Sequence, residues 1–315
     1  MTMGIMKLQG MNTAKIQHVG MGVRRELNNG DMNTRITSTR PAAGRLNSDT
    51  VTLVVGKGDF STSFTFLQMI TSDCNKTKQR APDPADSKMT SKKVVELFYD
   101  VVSPYSWLGF EVMCRYRNLW NIDLKLRPAL LGGVMQGSDN KPPAMVQNKF
   151  LYMDKDLRRL AGYFDVPLQP PSDPFEAMFK KGSLPAMRFL TAVQEREGRD
   201  TKVEQVSREL WRRIWSEDKD ITEPGSLSEA AVKAGLSESE IKELLELYTS
   251  PKMKDKLKSA TQDALDYGAF GFPLLVCHVN SKAEVFFGSD RFELMAHCIG
   301  EKWLGPQPEK AHPKL

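Results

Sequence analysis

A chain of 315 residues with 40% hydrophobic content can bury one large core or two modest ones. Its formal net charge of +5 is local: residues 1–90 carry 12 Lys/Arg against 7 Asp/Glu, and the other 225 (315 less 90) carry 32 of each. The balanced part therefore lacks the net basic character of a nucleic-acid binder, and no run of 18 apolar residues marks a membrane span.

Cys74, Cys114, Cys277 and Cys298 have neither the number nor the spacing for a disulfide framework or a zinc site, so free thiols in a reducing compartment are expected. Cys277 and His278 are adjacent, but neighbours on a strand point to opposite faces. No metal site is expected.

Residues 1–90 hold half of the 16 methionines, many Thr, Ser, Asn and Gly, and little periodicity. Val51–Val55 and Phe64–Leu67 read as isolated strands, and a two-stranded unit is marginal alone. Seven basic against two acidic residues in the first 45 resemble an organelle transit peptide. The segment is expected to be a poorly structured targeting extension, or untranslated sequence carried into a gene model with Met89 as the natural start.

From Lys92 the pattern is orderly. Val94–Asp100 reads as a buried strand, and Trp107 to about Trp120 as an amphipathic helix with Phe110, Met113 and Cys114 at helical spacing. Ile122–Arg127 alternates as a second strand. Gly132–Pro143 reads as a loop, and about 120 residues of helix follow, at about 144–266. Ser226–Glu229 and Ser237–Glu240 read as capping boxes; Ser250-Pro251 opens a helix that ends near Tyr267-Gly268. Leu274–Val279 and Ala283–Phe287 form a hairpin around Asn280-Ser281, and a closing helix runs from near Ser289-Asp290 to about Trp303. The order βαβ, helical block, ββα is a thioredoxin-like α/β fold interrupted by a helical insertion, over residues 92–315.

Ser103-Pro104-Tyr105-Ser106 lies between the first strand and its helix. That is the layout of a thioredoxin-type redox site with hydroxyls in place of both thiols. A serine pair cannot form a disulfide, so the site must handle a thiol it does not own. Ser-Pro is also an ordinary helix start, and the two readings are compatible. A helix N-terminus offers unpaired N–H groups and partial positive charge to an anion, and lowers a thiol pKa from about 8.5. Ser106 reads as structural. By themselves Gly271-Phe272-Pro273 and Asn140 read as turn residues, and Ser289-Asp290 as an N-cap. Met153, Phe164, Phe175, Met178, Phe179, Met187 and Phe189 read mostly as core, with some lining an apolar pocket.

Glu96–Gly109, Asn140–Pro143, Ala186–Ala192, Tyr267–Gly271 and Phe287–Arg291 together carry a further reading. From Val94 onward the chain resembles the kappa-class glutathione transferases, of the disulfide-oxidase-like branch of the thioredoxin superfamily. The resemblance implies that Ser103 is catalytic and stabilises the glutathione thiolate, with Pro104 and Tyr105 beside it. It also implies a cis Pro273, with the backbone of Phe272 pairing with the cysteinyl residue by strand addition. Ser289 would take the γ-glutamyl carboxylate, Asp290 its amine, and Asn140 a further contact. The implied activity is addition of glutathione, as co-substrate and with no cofactor, to small hydrophobic electrophiles in detoxification.

Two alternatives stay open: a glutathione-dependent isomerase, which returns its glutathione, and a non-catalytic peptide-binding or chaperone-like module. A homodimer without membrane insertion is expected. The basic N-terminus points to mitochondria, and the terminal Pro313-Lys314-Leu315 approximates a peroxisomal address with proline in place of serine; with neither read, the protein would be cytosolic. Deleting residues 1–88 is expected to leave a soluble, active enzyme, because the segment lacks the apolar periodicity that offsets ordering entropy. Loss of folding or activity on truncation, or protection of residues 51–67 from hydrogen exchange, would overturn that boundary.

Overall fold

The computed structural model describes residues 92–197 and 200–311 and, between residues 27 and 66, the backbone of four strands. Most of the basic N-terminal stretch and the tail His312–Leu315, on which the localisation expectations rest, lie outside the described residues, as does Leu67.

The chain divides into two units, Met1–Asp86 and Ser87–Leu315. In the first, β1 (Leu27–Asn29), β2 (Met32–Thr37), β3 (Val51–Lys57) and β4 (Phe60–Phe66) form an antiparallel sheet in the order β1-β2-β3-β4. β3 and β4 contain most of the two expected strands and pair with each other from Val51↔Phe66 to Lys57↔Phe60. β1 and β2 are not foreseen, because Leu-Asn-Asn and Met-Asn-Thr-Arg-Ile-Thr hold too few apolar residues to show alternation.

In the second unit β5 (Lys93–Tyr99), α1 (Pro104–Tyr116) and β6 (Ile122–Pro128) form a βαβ unit with β5 and β6 parallel. Helices follow: α2 (Leu131–Gly137), α3 (Gln147–Phe164), α4 (Leu184–Glu197), α5 (Asp200–Trp215), α6 (Pro224–Lys233), α7 (Glu238–Leu247) and α8 (Pro251–Asp266). A π-helical turn, Glu176–Lys181, precedes α4. Then β7 (Leu274–Val279) and β8 (Lys282–Phe287) form the hairpin, and α9 (Phe292–Ile299) follows. Among the described residues of this unit the sheet order is β6-β5-β7-β8, with β7 antiparallel to both neighbours. The hairpin turns on Asn280 and Ser281, both at positive φ (49° and 61°), as a two-residue turn matched to strand twist requires.

β5 is central and buried on both faces, hence its nearly continuous apolar run. Val95, Leu97 and Tyr99 face one core with α1, α4 and α5, while Phe98 faces a smaller one with Val276, Val134 of α2 and Ala264 of α8. β6, at the edge, alternates buried and more exposed residues.

Four expectations change. The Gly-rich stretch after β6 is not loop throughout: α2 occupies its start. Gly133 and Gly137 serve helix packing, since a Cβ on them would lie 2.9 Å from Thr261 Cγ2 and 2.6 Å from Leu265 Cδ1 of α8. Ser237 and Glu240 do form a capping box, but Ser226 lies inside α6, because Pro224 at the first helical position starts that helix earlier. α1 closes at Tyr116, short of Trp120, and Asn121 (φ 45°) turns the chain into β6. α9 starts at Phe292 rather than at Ser289-Asp290, and Gly300 in the left-handed conformation ends it before Trp303.

The insertion and the βαβ unit share one core. Trp211 of α5 stacks on Trp107, packs its ring against Phe110 and Tyr99, and donates Nε1–H to the Ser103 carbonyl at 3.1 Å. Arg208 of α5 binds Glu111 of α1 through two hydrogen bonds of 2.7 and 3.1 Å. Trp211→Ala is expected to destabilise the protein by about 3–5 kcal/mol and Trp211→Phe by clearly less, as read from urea denaturation. Equal losses would show that the hydrogen bond, not the packing, dominates.

Candidate active site

Ser103 caps α1 from extended backbone (φ −90°, ψ 115°), and Pro104 occupies the first helical position, where a missing N–H costs nothing. Ser103 Oγ accepts the Ser106 amide at 3.1 Å and directs its own proton at the Phe272 carbonyl, 3.4 Å away. For O–H···O that is long, so little is lost when the hydroxyl turns to another acceptor. Ser106 is fully buried, and its hydroxyl has no hydrogen-bond partner.

The Phe272–Pro273 peptide is cis, the isomer that the resemblance implies. The Pro273 carbonyl accepts the Gly288 amide at 3.0 Å, which ties this turn to the segment carrying Ser289 and Asp290. α1 reaches Pro273 because residue 109 is glycine: a Cβ there would lie 3.1 Å from Pro273 Cγ.

Ser103, Pro104, Tyr105, Asn140, Phe272, Ser289 and Asp290 all line one cavity of about 880 Å³, and Pro273 is not among its lining residues. Ser289 is buried and Asp290 exposed beside Arg291, at 3.2 Å. Both sit in the segment before α9, so neither caps that helix. Asn140 is held at the rim: its Nδ2 donates to the Phe270 carbonyl at 2.6 Å, and its Oδ1 accepts the Lys141 amide at 2.8 Å. The insertion lines the cavity with apolar Met153, Phe164, Met178 and Phe179 and with polar Tyr152, Asp156, Lys181 and Ser183. Met187 and Phe189 are instead fully buried core, and Phe175 is exposed.

Two acids were not among the expected site residues. Asp156 of α3 accepts the Tyr105 hydroxyl at 3.1 Å and the Tyr152 hydroxyl at 3.3 Å. Burial and this carboxylate push the Tyr105 phenol above its ordinary range, so it acts as a donor, not a base. The sequence carries a weak signal for it, since Tyr152 and Asp156 sit four residues apart on one helix face.

Asp100, at the end of β5, is fully buried and accepts the Val102 and Leu131 amides at 3.0 and 2.8 Å and the Ser183 hydroxyl at 2.9 Å. An acid closing an apolar strand is the only sequence signal for it.

A family model, the DSBA-like thioredoxin domain, matches residues 94–300 and so defines the class of this fold. Among solved structures, a 2-hydroxychromene-2-carboxylate isomerase superposes with a TM-score of 0.52 at 19% identity, over 66% of this chain and 94% of its own. A putative protein disulfide isomerase from Nitrosomonas europaea gives 0.50 at 18%, over 67% and 100%. Both show the fold alone. Human glutathione S-transferase kappa 1 is 52% identical over 223 residues, 71% of this chain and 98% of its own. Glutathione S-transferase kappa 2 of Caenorhabditis elegans is 33% identical over 225 residues, 70% and 98%. The chain belongs to the kappa class of glutathione S-transferases.

Burial pushes the Asp100 carboxyl up to about 6 from its ordinary 3.8, with its three hydrogen bonds acting the other way. The folded state therefore holds this proton more tightly than the unfolded chain. The group adds stability as pH falls from about 6 to about 4, and that stability is lost as pH rises through 6; the whole effect is about 3 kcal/mol. Relative to Asp100→Asn, the wild type is expected to become more stable by up to that amount between about pH 7 and about pH 4. Urea titrations of both proteins check it; a difference independent of pH would contradict it.

Proposed function

We propose that the cavity binds glutathione with its sulfur at Ser103 and the start of α1, and transfers the thiolate to a small apolar electrophile. The observation that supports this most is the Ser103 hydroxyl. It caps a helix N-terminus, donates only a long bond, and opens onto a cavity lined by both polar and apolar residues.

The magnitudes are sufficient. A helix N-terminus stabilises a nearby anion by about 0.3–1 kcal/mol, up to about 2 in partly buried geometry, and a hydrogen bond to a charged group by about 1.5–3 kcal/mol. Together these lower a thiol pKa of about 8.5 by about 2, to near neutrality. The thiol proton leaves to solvent. The sulfur lone pair then forms a C–S bond with the electrophilic carbon, and the displaced group departs with its bonding pair. Where the acceptor is a conjugated double bond, the electrons move onto it and it takes a proton from solvent. The product is a thioether in either case.

The remaining contacts follow from position. Phe272, beside the cis peptide, offers its backbone to the cysteinyl residue of glutathione. Buried Ser289 suits the γ-glutamyl carboxylate, and exposed Asp290 its amine. Asn140 holds the rim against the Phe270 carbonyl, and Pro104 and Tyr105 form the floor beside the sulfur. The apolar side chains of Met153, Phe164, Met178 and Phe179, from α3 and the π-helical turn, suit a small hydrophobic electrophile held by burial.

Ser103→Ala is expected to lower kcat by about tenfold to a hundredfold, equivalent to one charge-assisted hydrogen bond. Glutathione affinity should change little, and the bound thiol pKa should rise by about 1–2. Calorimetric titration with glutathione, thiolate absorbance and a chromogenic conjugation assay measure the three quantities. An unchanged rate and unchanged thiolate absorbance would remove Ser103 from the chemistry. Recovery of all glutathione after turnover would point to isomerisation instead of transfer.

A further inference from the structure

Asp100 has no part in the chemistry above, yet three residues that line the cavity bond to its carboxylate. Oδ1 accepts the amide of Val102, the residue before Ser103; Oδ2 accepts the amide of Leu131, the first residue of α2. Oδ2 also takes the hydroxyl of Ser183, whose carbonyl receives the Met187 amide at the start of α4. The Asp100 carbonyl accepts the Ser103 amide at 3.0 Å. Val102, Leu131 and Ser183 all line the cavity. Among the described residues no cation pairs with this carboxylate, which is fully buried.

A buried charge without a partner is costly unless it is fully hydrogen-bonded. An apolar side chain would fill the space but would orphan two amides and a hydroxyl. An asparagine would keep one acceptor and turn an N–H2 group toward the other donors. Of these three side chains, only the carboxylate accepts from all three donors without turning a donor toward them. Its charge, lying behind the start of α1, works against an anion at that helix; its geometry works for one, by holding the Ser103 turn. The two effects move the thiol in opposite directions and can be separated.

We propose that Asp100 is a positioning residue of the active site, its carboxylate locking the starts of α1, α2 and α4 in one register and so placing the Ser103 hydroxyl against the sulfur. The proposal rests on the glutathione reading of the site.

The test compares the full-length wild type with Asp100→Asn and Ser183→Ala, measuring glutathione Kd, the pKa of the bound thiol from thiolate absorbance, and kcat with a chromogenic electrophile. For Asp100→Asn the Kd is expected to stay within about threefold, the thiol pKa to rise by about one, and kcat near neutral pH to fall by about tenfold or more. Ser183→Ala, which removes one donor and leaves the carboxylate, is expected to shift the same quantities in the same direction by less. A thiol pKa that falls in Asp100→Asn would overturn the proposal, because the site would then feel the charge and not the geometry. An unchanged thiol pKa with unchanged kcat would overturn it as well. If Asp100→Asn does not fold, Ser183→Ala decides: wild-type thiol pKa and kcat overturn the proposal, and a raised pKa supports it. Failure of the wild type to bind glutathione would instead refute the functional reading; a normal wild type beside an unaffected Asp100→Asn would refute only the role of Asp100.

Discussion

The first turn of α1 is the constraint on which this site depends, because its amides and its capping hydroxyl must converge on one point. That turn is held from three directions. Ser103 Oγ takes the Ser106 amide, the Asp100 carbonyl takes the Ser103 amide, and Trp211 donates to the Ser103 carbonyl. Each is an ordinary hydrogen bond, worth about 1 kcal/mol net, but all three sit where water is excluded. An unmade bond there would carry the full desolvation cost. The turn is therefore over-determined, and Ser103 is one of the few groups in it with a proton left to give.

The cost of that arrangement appears at Asp100. Near neutral pH the carboxylate is ionised inside the core, and the fold would be more stable with it protonated. Three donors offset part of the burial, none of them a cation. Stability is given up to keep three helix starts in register, as expected where a site uses groups that the core alone would exclude.

The helical insertion is not an appendage to the thioredoxin-like layer. α5 supplies Trp211, and Arg208 ties it to Glu111 of α1. α3 supplies Asp156, which orients Tyr105, and Ser183 at the start of α4 reaches Asp100. The lining of the cavity thus comes both from the βαβ and ββα segments and from the insertion. Both parts contribute polar and apolar lining residues.

Much of this was legible in the residues alone. The β5–α1 junction is local: an apolar strand, a Ser-Pro cap and an apolar stripe at helical spacing need no partner to be read. The Asn280-Ser281 turn and the Ser237–Glu240 capping box are local for the same reason. What could not be read depends on what a residue packs against. Gly133 and Gly137 look like loop glycines until α8 is seen lying against them. Ser289 looks like a cap until α9 is seen to start later. The roles of Asp156 and Asp100 exist only through partners on other elements: Tyr105 for the first, Leu131 and Ser183 for the second. The sequence by itself determined the βαβ, helical block, ββα order of the second unit, the serine at the head of α1 and the absence of a thiol pair there. Only the tertiary structure decided which buried groups meet behind that serine, since hydrogen bonds between residues 31 and 83 positions apart leave no periodic trace in a chain.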